Sequence, residues 1–190
     1  MYAQESTTGK YSLEFSVTPI STVTIGPFQE LVGAGSNESD RYFGGQLGIG
    51  YQYNSWLSLH TSIAYSRQNV TTTPAVVDPT LHRDIFHSKI NIIELPLEAR
   101  VKFLKYLYAN VGPSIHLQQN TNKYVDKQSG VGMTLGIGAA VPVSKYMKVT
   151  VAPHYKIYSL IPFEAGHNRD RIQLLGGTLG VGYNFAKARN

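Results

Sequence analysis

Apolar residues recur at every second position in eight segments of the chain, with small or polar residues between them. Successive side chains of a β-strand point to opposite faces, so each segment reads as a strand with one apolar and one polar face. In the first, Leu13, Phe15 and Val17 alternate with Glu14, Ser16 and Thr18, and in the second Phe43, Leu47, Ile49, Tyr51 and Tyr53 alternate with Gly44, Gln46, Gly48, Gly50 and Gln52. The third sets Leu57, Leu59, Ile63 and Tyr65 against Ser58, His60, Ser62 and Ala64. The fourth is the sharpest, with Ile93, Leu95, Leu97, Val101 and Phe103 opposed to Glu94, Pro96, Glu98, Arg100 and Lys102. Four more follow the same rule, over Leu107–Leu117, Val131–Val143, Met147–Ile157 and Leu175–Phe185. The phase breaks twice. Ile90 and Ile92 are out of step with Ile93, and Ile172 and Leu174 with Leu175, which predicts bulges or strand extensions beyond the constrained region.

The connections alternate in length. Asn54-Ser55, Leu104-Lys105 and Ser144-Lys145 read as tight turns, whereas about Pro19–Asp40, Val70–Ser88, Gln119–Gln128 and Leu160–Asp170 read as long loops. The pattern predicts an all-β fold, an eight-stranded antiparallel up-and-down barrel over residues 11–185. A tail of residues 1–10 precedes it, whose Met1-Tyr2-Ala3-Gln4 start fits either a signal-peptide remnant or a short irregular terminus, and a tail of residues 186–190 follows. An even strand number places both termini at the short-turn end.

The polar face decides which solvent surrounds the barrel. It consists mainly of Gly, Ser, Thr, Ala and Gln, which suits the narrow interior of eight strands and not a water-facing wall. The apolar face must then look outward, into lipid, so the expected barrel is transmembrane. Phe43 and Tyr65 near the long-loop end, and Tyr51, Tyr53, Phe103, Tyr183 and Phe185 near the short turns, form two candidate aromatic girdles. The expected location is the bacterial outer membrane, with periplasmic termini and extracellular long loops.

Composition agrees: 18 Gly, 13 Tyr and only 15% charged residues suit many strands and turns. Cysteine is absent, which excludes disulfides, thiolate metal sites and cysteine nucleophiles. The net charge of +5 is unevenly spread, with four basic against eight acidic residues in the long loops and the basic excess elsewhere. That distribution argues against nucleic acid as a partner. Arg41, Arg67, Lys89 and Arg171 lie at the bases of the long loops, where they are candidates for contact with lipopolysaccharide phosphates.

The inward phase carries Glu14, His60, Glu94, Glu98, Arg100, Lys102, His116, Lys148, His154 and Lys156. A lumen with little water cannot hold such groups unpaired, so they are expected to form a salt-bridged polar network. Strand one does not neighbour strand four, so Glu14 reaches Glu98 or Arg100 only across the lumen. The three inward histidines lie at different distances from their short turns, which argues against convergence on one metal. Nothing in the sequence calls for a cofactor. His60-Thr61-Ser62 has the spacing of an outer-membrane lipid A deacylase, but its His and Ser are in the lumen phase. His82, Asp84, His87 and Ser88 supply the residue types of an acyltransferase within one loop. Loop polar residues are more often simply solvated.

Glu94-Leu95-Pro96-Leu97, followed by Tyr108-Ala109-Asn110-Val111-Gly112-Pro113 and the ending Gly180-Val181-Gly182-Tyr183-Asn184-Phe185, resembles the small outer-membrane β-barrel proteins of Bacteroidota, the PorT-like or OmpX-like barrels. The tail Ala186–Asn190 departs from their pattern, in which an aromatic residue tends to be terminal. The resemblance implies a non-enzymatic structural or protein-interaction role beside envelope or secretion machinery. A lipid-modifying enzyme and a small passive pore are the alternatives.

Overall fold

The computed structural model describes residues 8–26, 36–73, 86–120, 126–164 and 171–186. They form eight strands: β1 Thr8–Gly26, β2 Ser36–Gln52, β3 Leu57–Thr73, β4 Phe86–Lys102, β5 Leu107–Gln118, β6 Gly130–Pro142, β7 Met147–Pro162 and β8 Arg171–Ala186. Each pairs antiparallel with its chain neighbour, and β1 pairs with β8 to close the barrel. Closure gives every strand a partner on both sides, as a β-protein in lipid requires, with a break in the β1–β2 pairing between Thr18–Gly44 and Thr24–Glu38. The apolar phase of every strand faces outward, with Leu47, Ile63, Leu97, Leu135 and Ile137 all more than half exposed on the outer wall.

Side-chain chemistry supports two of the three short turns, and the Leu104–Lys105 turn is held by backbone bonds to the Leu107 carbonyl. Asn54 Oδ1 accepts the Trp56 and Leu57 amides at 3.0 and 2.7 Å, and Ser144 Oγ accepts the Tyr146 and Met147 amides at 3.3 and 3.1 Å. These local bonds replace a hairpin ladder bond at each turn. Each turn ends in an aromatic residue whose carbonyl accepts an amide from the strand beyond: Lys102 N to Trp56 O, Ala140 N to Tyr106 O and Asn184 N to Tyr146 O, at 2.7 to 2.8 Å.

The strands run farther than the alternation predicts. β1 continues to Gly26, β2 starts at Ser36, β3 reaches Thr73, β4 begins at Phe86 and β7 reaches Pro162, so three of the four long connections are shorter than expected, while the one between β5 and β6 keeps about its expected length. The predicted bulges also fall elsewhere. The β3–β4 and β1–β8 registers run without a shift past Ile90–Ile93 and Ile172–Leu175. Ile90, Ile92, Ile172 and Leu174 therefore stay in the inward phase, at 0 to 2% exposure. They looked out of step because the lumen, and not the strand, changes character there. The register shifts are between Thr8 and Ser12 and at Thr18–Pro19 of β1, around Asp40 of β2 and at Tyr158–Leu160 of β7. Pro19 has no amide to donate to a ladder, which suits a bulge. Ser159 takes a φ of 49°, a left-handed conformation unusual for a side-chain-bearing residue.

Candidate functional site

The lumen is stacked in layers from the short-turn end to the long-loop end. The first is ionic. Glu14 on β1 receives Arg100 Nη1 of β4 at 2.7 Å, Lys148 Nζ of β7 at 2.6 Å and His60 Nδ1 of β3 at 3.2 Å. The Arg100 contact crosses the lumen. Arg100 Nε also lies 3.6 Å from Glu98, which accepts Asn110 Nδ2 at 3.3 Å. Small residues make room for this layer: a Cβ added at Gly182 would stand 2.5 Å from Lys148 Cε. Above it, a cavity of about 50 Å³ is lined by Gln46, Thr134, His154 and Thr178. His154 Nδ1 lies 3.1 Å from Thr178 Oγ1.

The second ionic layer is a single pair. Lys156 Nζ of β7 donates to Glu94 Oε2 of β4 at 2.8 Å, with the two side chains 10% and 3% exposed. Beside it, His116 Nε2 accepts the Ser159 amide at 2.8 Å. An acceptor Nε2 requires the neutral ring with its proton on Nδ1, which faces Ser114 Oγ at 3.4 Å. The ring meets Tyr158 edge-on, 5.1 Å between centroids. His116 thus pins the β7 bulge.

Next comes an apolar layer that the alternation reading did not anticipate. Ile25, Val70, Ile90, Ile92, Tyr158, Ile172 and Leu174 form one buried cluster, with Val23 and Tyr42 packed against it. Gln128, fully buried, covers it: its Oε1 accepts the Ile172 amide at 3.1 Å, and its own amide donates to Gln118 Oε1 at 2.8 Å.

Of the ten expected lumen residues, Glu14, His60, Glu98, Arg100 and Lys148 come together in one layer, and Glu94, His116 and Lys156 in another. His154 stands between them. Lys102 is a correction: it is exposed and lines the short-turn mouth, because its strand has left the closed part of the lumen. The three histidines sit at separate levels with different partners. His82 and Asp84 lie outside the described residues. His87 and Ser88 are strand residues of β4, opposite Thr71 and Val70, and not loop residues; His87 Nδ1 lies 3.1 Å from Thr71 Oγ1.

At the long-loop rim, Arg67 and Lys89 line one concavity on the outer wall with Ile20 and Phe43. It sits where β1 and β2 have no paired residues between Thr18–Gly44 and Thr24–Glu38. Arg171 Nε donates to Ser159 O at 3.3 Å on the β7–β8 side. Arg41 lies on β2 opposite Asn69; its side chain is outside the described ones. Phe43 and Tyr65 project from the wall near this rim, and Tyr53, Phe103, Tyr183 and Phe185 near the other, with Tyr51 packed 5.2 Å from Tyr11.

Sequence reasoning missed the short-turn mouth. A vestibule there has two lobes of about 360 and 430 Å³ that share Gln52, Ser58, His60, Lys102, Lys148 and Asn184. Trp56 and Tyr106 line it from the turns. The available signal was the aromatic residue that ends each short turn, immediately before β3, β5 and β7.

The fold is shared with solved structures of outer-membrane proteins. OprG from Pseudomonas aeruginosa superposes with a TM-score of 0.57 at 13% identity, covering 95% of this chain and 98% of that one. AlkL in lipid bilayers superposes with a TM-score of 0.61 at 14% identity, covering 100% and 96%. At such identities the likeness is one of fold. No protein of curated function matches the chain in sequence. Residues 2–185 match the outer membrane protein beta-barrel domain. With a closed eight-stranded barrel, an apolar outer wall and that match over nearly its whole length, the chain belongs to the outer membrane protein beta-barrel domain family, and its place is the bacterial outer membrane.

Proposed function

We propose that the protein is a non-enzymatic, non-conducting barrel that acts as a structural or interaction element of the envelope. The observation that carries this reading is the layered lumen. The Glu14–Arg100–Lys148 layer, the Glu94–Lys156 pair and the apolar cluster around Ile90 and Leu174 block the axis at three heights. An ion would have to break buried pairs and then cross a dry layer, which is unfavourable by several kcal/mol. With its lumen occupied, the barrel has its rims and outer wall to offer partners.

In this reading the termini and short turns are periplasmic, and the long connections face outward. The concavity holding Arg67 and Lys89 suits the phosphates of lipopolysaccharide, with Ile20 and Phe43 beside its acyl chains. Arg171, on the β7–β8 side, adds to the basic rim, and Arg41 is assigned to it by its strand position alone. The PorT-like resemblance to Bacteroidota barrels supports a place beside secretion or envelope machinery. Planar-bilayer recording tests the proposal. The intact protein is expected to give no stepwise conductance; a steady ohmic step overturns the non-conducting reading.

A further inference from the structure

The vestibule at the short-turn mouth is unlike the rest of the lumen. Lys102, Lys105, Lys148 and Arg100 line it, and among the described residues no carboxylate does. Glu14, one layer below, takes up Arg100 and Lys148. Among the described residues, no carboxylate pairs with Lys102 or Lys105. The cavity therefore carries an excess of positive charge between protein walls of low dielectric, the arrangement that concentrates anions.

Its other distinctive feature is aromatic. Trp56 and Tyr106 are 52% and 40% exposed at the mouth, and both line the cavity. Tyr108 lies deeper, with Arg100 5.3 Å from its ring centroid. The backbone that carries each mouth ring is tied to the neighbouring strand, since the Trp56 and Tyr106 carbonyls accept the amides of Lys102 and Ala140. The lobes, of about 360 and 430 Å³, are of the size that small-molecule sites have, roughly 300–1,000 Å³. The ionic layer gives the cavity a floor, so whatever enters stops there.

We propose that this vestibule binds a small organic anion, a phosphate or carboxylate carried on a flat ring. Lys102 and Lys105 meet the anionic group, Lys105 from its place over the Tyr106 ring, 5.0 Å from the centroid, and Trp56 stacks on the ligand's ring. Partner chemistry and position distinguish this site from the basic concavity at the other end of the barrel, which is open to lipid.

The chain's single tryptophan, Trp56, reports on its own site. Protein in phosphatidylcholine nanodiscs at low salt is titrated with two charged probes, adenosine monophosphate and nicotinate, and with their uncharged counterparts, adenosine and nicotinamide. Calorimetry and Trp56 emission are read together. Adenosine monophosphate tests a phosphate source and nicotinate a carboxylate source; saturable one-to-one binding of either supports the proposal. The uncharged counterpart is expected to bind at least tenfold more weakly, and inorganic phosphate likewise. Lys102→Gln with Lys105→Gln, both exposed and so compatible with folding, should weaken the charged probe about tenfold. Arg67→Gln with Lys89→Gln, at the opposite end, should leave its affinity unchanged. The proposal is overturned if neither charged probe saturates, if the uncharged probes or inorganic phosphate bind equally well, or if the double lysine variant binds like the intact protein.

Discussion

Replacing Glu94 with Gln removes one partner from the most deeply buried ion pair and leaves the Lys156 ammonium in the lumen without its carboxylate. Lys156 Nζ lies 2.8 Å from Glu94 Oε2, with side-chain exposures of 10% and 3%, so water cannot substitute. Breaking a buried pair from one side costs about 3–5 kcal/mol, whereas exchanging both partners for apolar or neutral groups of similar volume is close to neutral. The single variant should therefore lose about 3–5 kcal/mol, and Glu94→Gln with Lys156→Met should recover most of it. With a urea slope of about 2 kcal/mol/M, the single variant's unfolding midpoint falls by roughly 2 M. Trp56 emission and the heat-dependent gel mobility of the folded barrel both follow unfolding, and Trp56 sits at the far end of the lumen from the change. A single-variant shift below about 0.5 M would refute the reasoning. So would a double variant no more stable than Glu94→Gln alone.

The β7 bulge gives a paired test: His116→Ala removes the acceptor of the Ser159 amide and should cost about 1–3 kcal/mol, while Ser159→Gly relieves a φ of 49° and should be neutral or stabilising by up to about 1 kcal/mol, both by urea titration. Leu174→Ala opens a void in the apolar layer and should cost about 2–5 kcal/mol by the same measurement, although the residue lies outside the predicted lumen network. Leu135→Arg puts a charge on the outer wall at mid-strand and should cost about 2–4 kcal/mol when folding into vesicles is measured. Arg67→Gln with Lys89→Gln should lower lipopolysaccharide retention during purification at least severalfold; equal retention, read by phosphate analysis, removes the rim from the proposed function.

The architecture was legible because a lipid-facing wall imposes a period of two along every strand, and because Asn54, Ser144 and their neighbours spell out the turns. Strand order left Glu14 able to reach Glu98 or Arg100 only across the lumen, and the contact made is with Arg100. What was not legible has several physical causes. Reading inward as polar works only where the lumen is polar. Above Glu94, Ile92 and Ile90 continue the same inward row, so a change of solvent looked like a change of phase. The bulge at Pro19 shifts β1's phase, so Val23 and Ile25 turn inward in a stretch that had read as loop. Lys102 fails in the opposite sense: its phase is inward, but the barrel has already opened around it. The vestibule escaped because Trp56 and Tyr106 sit on turns, where alternation carries no information.

The central claim is a lipid-facing wall around a lumen sealed by a dry apolar layer, and isoleucine methyl groups report on it without mutation. In nanodiscs, cross-relaxation between isoleucine methyls and lipid acyl protons separates the two faces. Ile63, Ile93, Ile115 and Ile137, on the wall, should show strong lipid contacts, and Ile90, Ile92 and Ile172, in the lumen, should show contacts to protein side chains of the apolar cluster and none to lipid. Lipid contacts at Ile90, Ile92 and Ile172 equal to those at Ile93 would contradict the account.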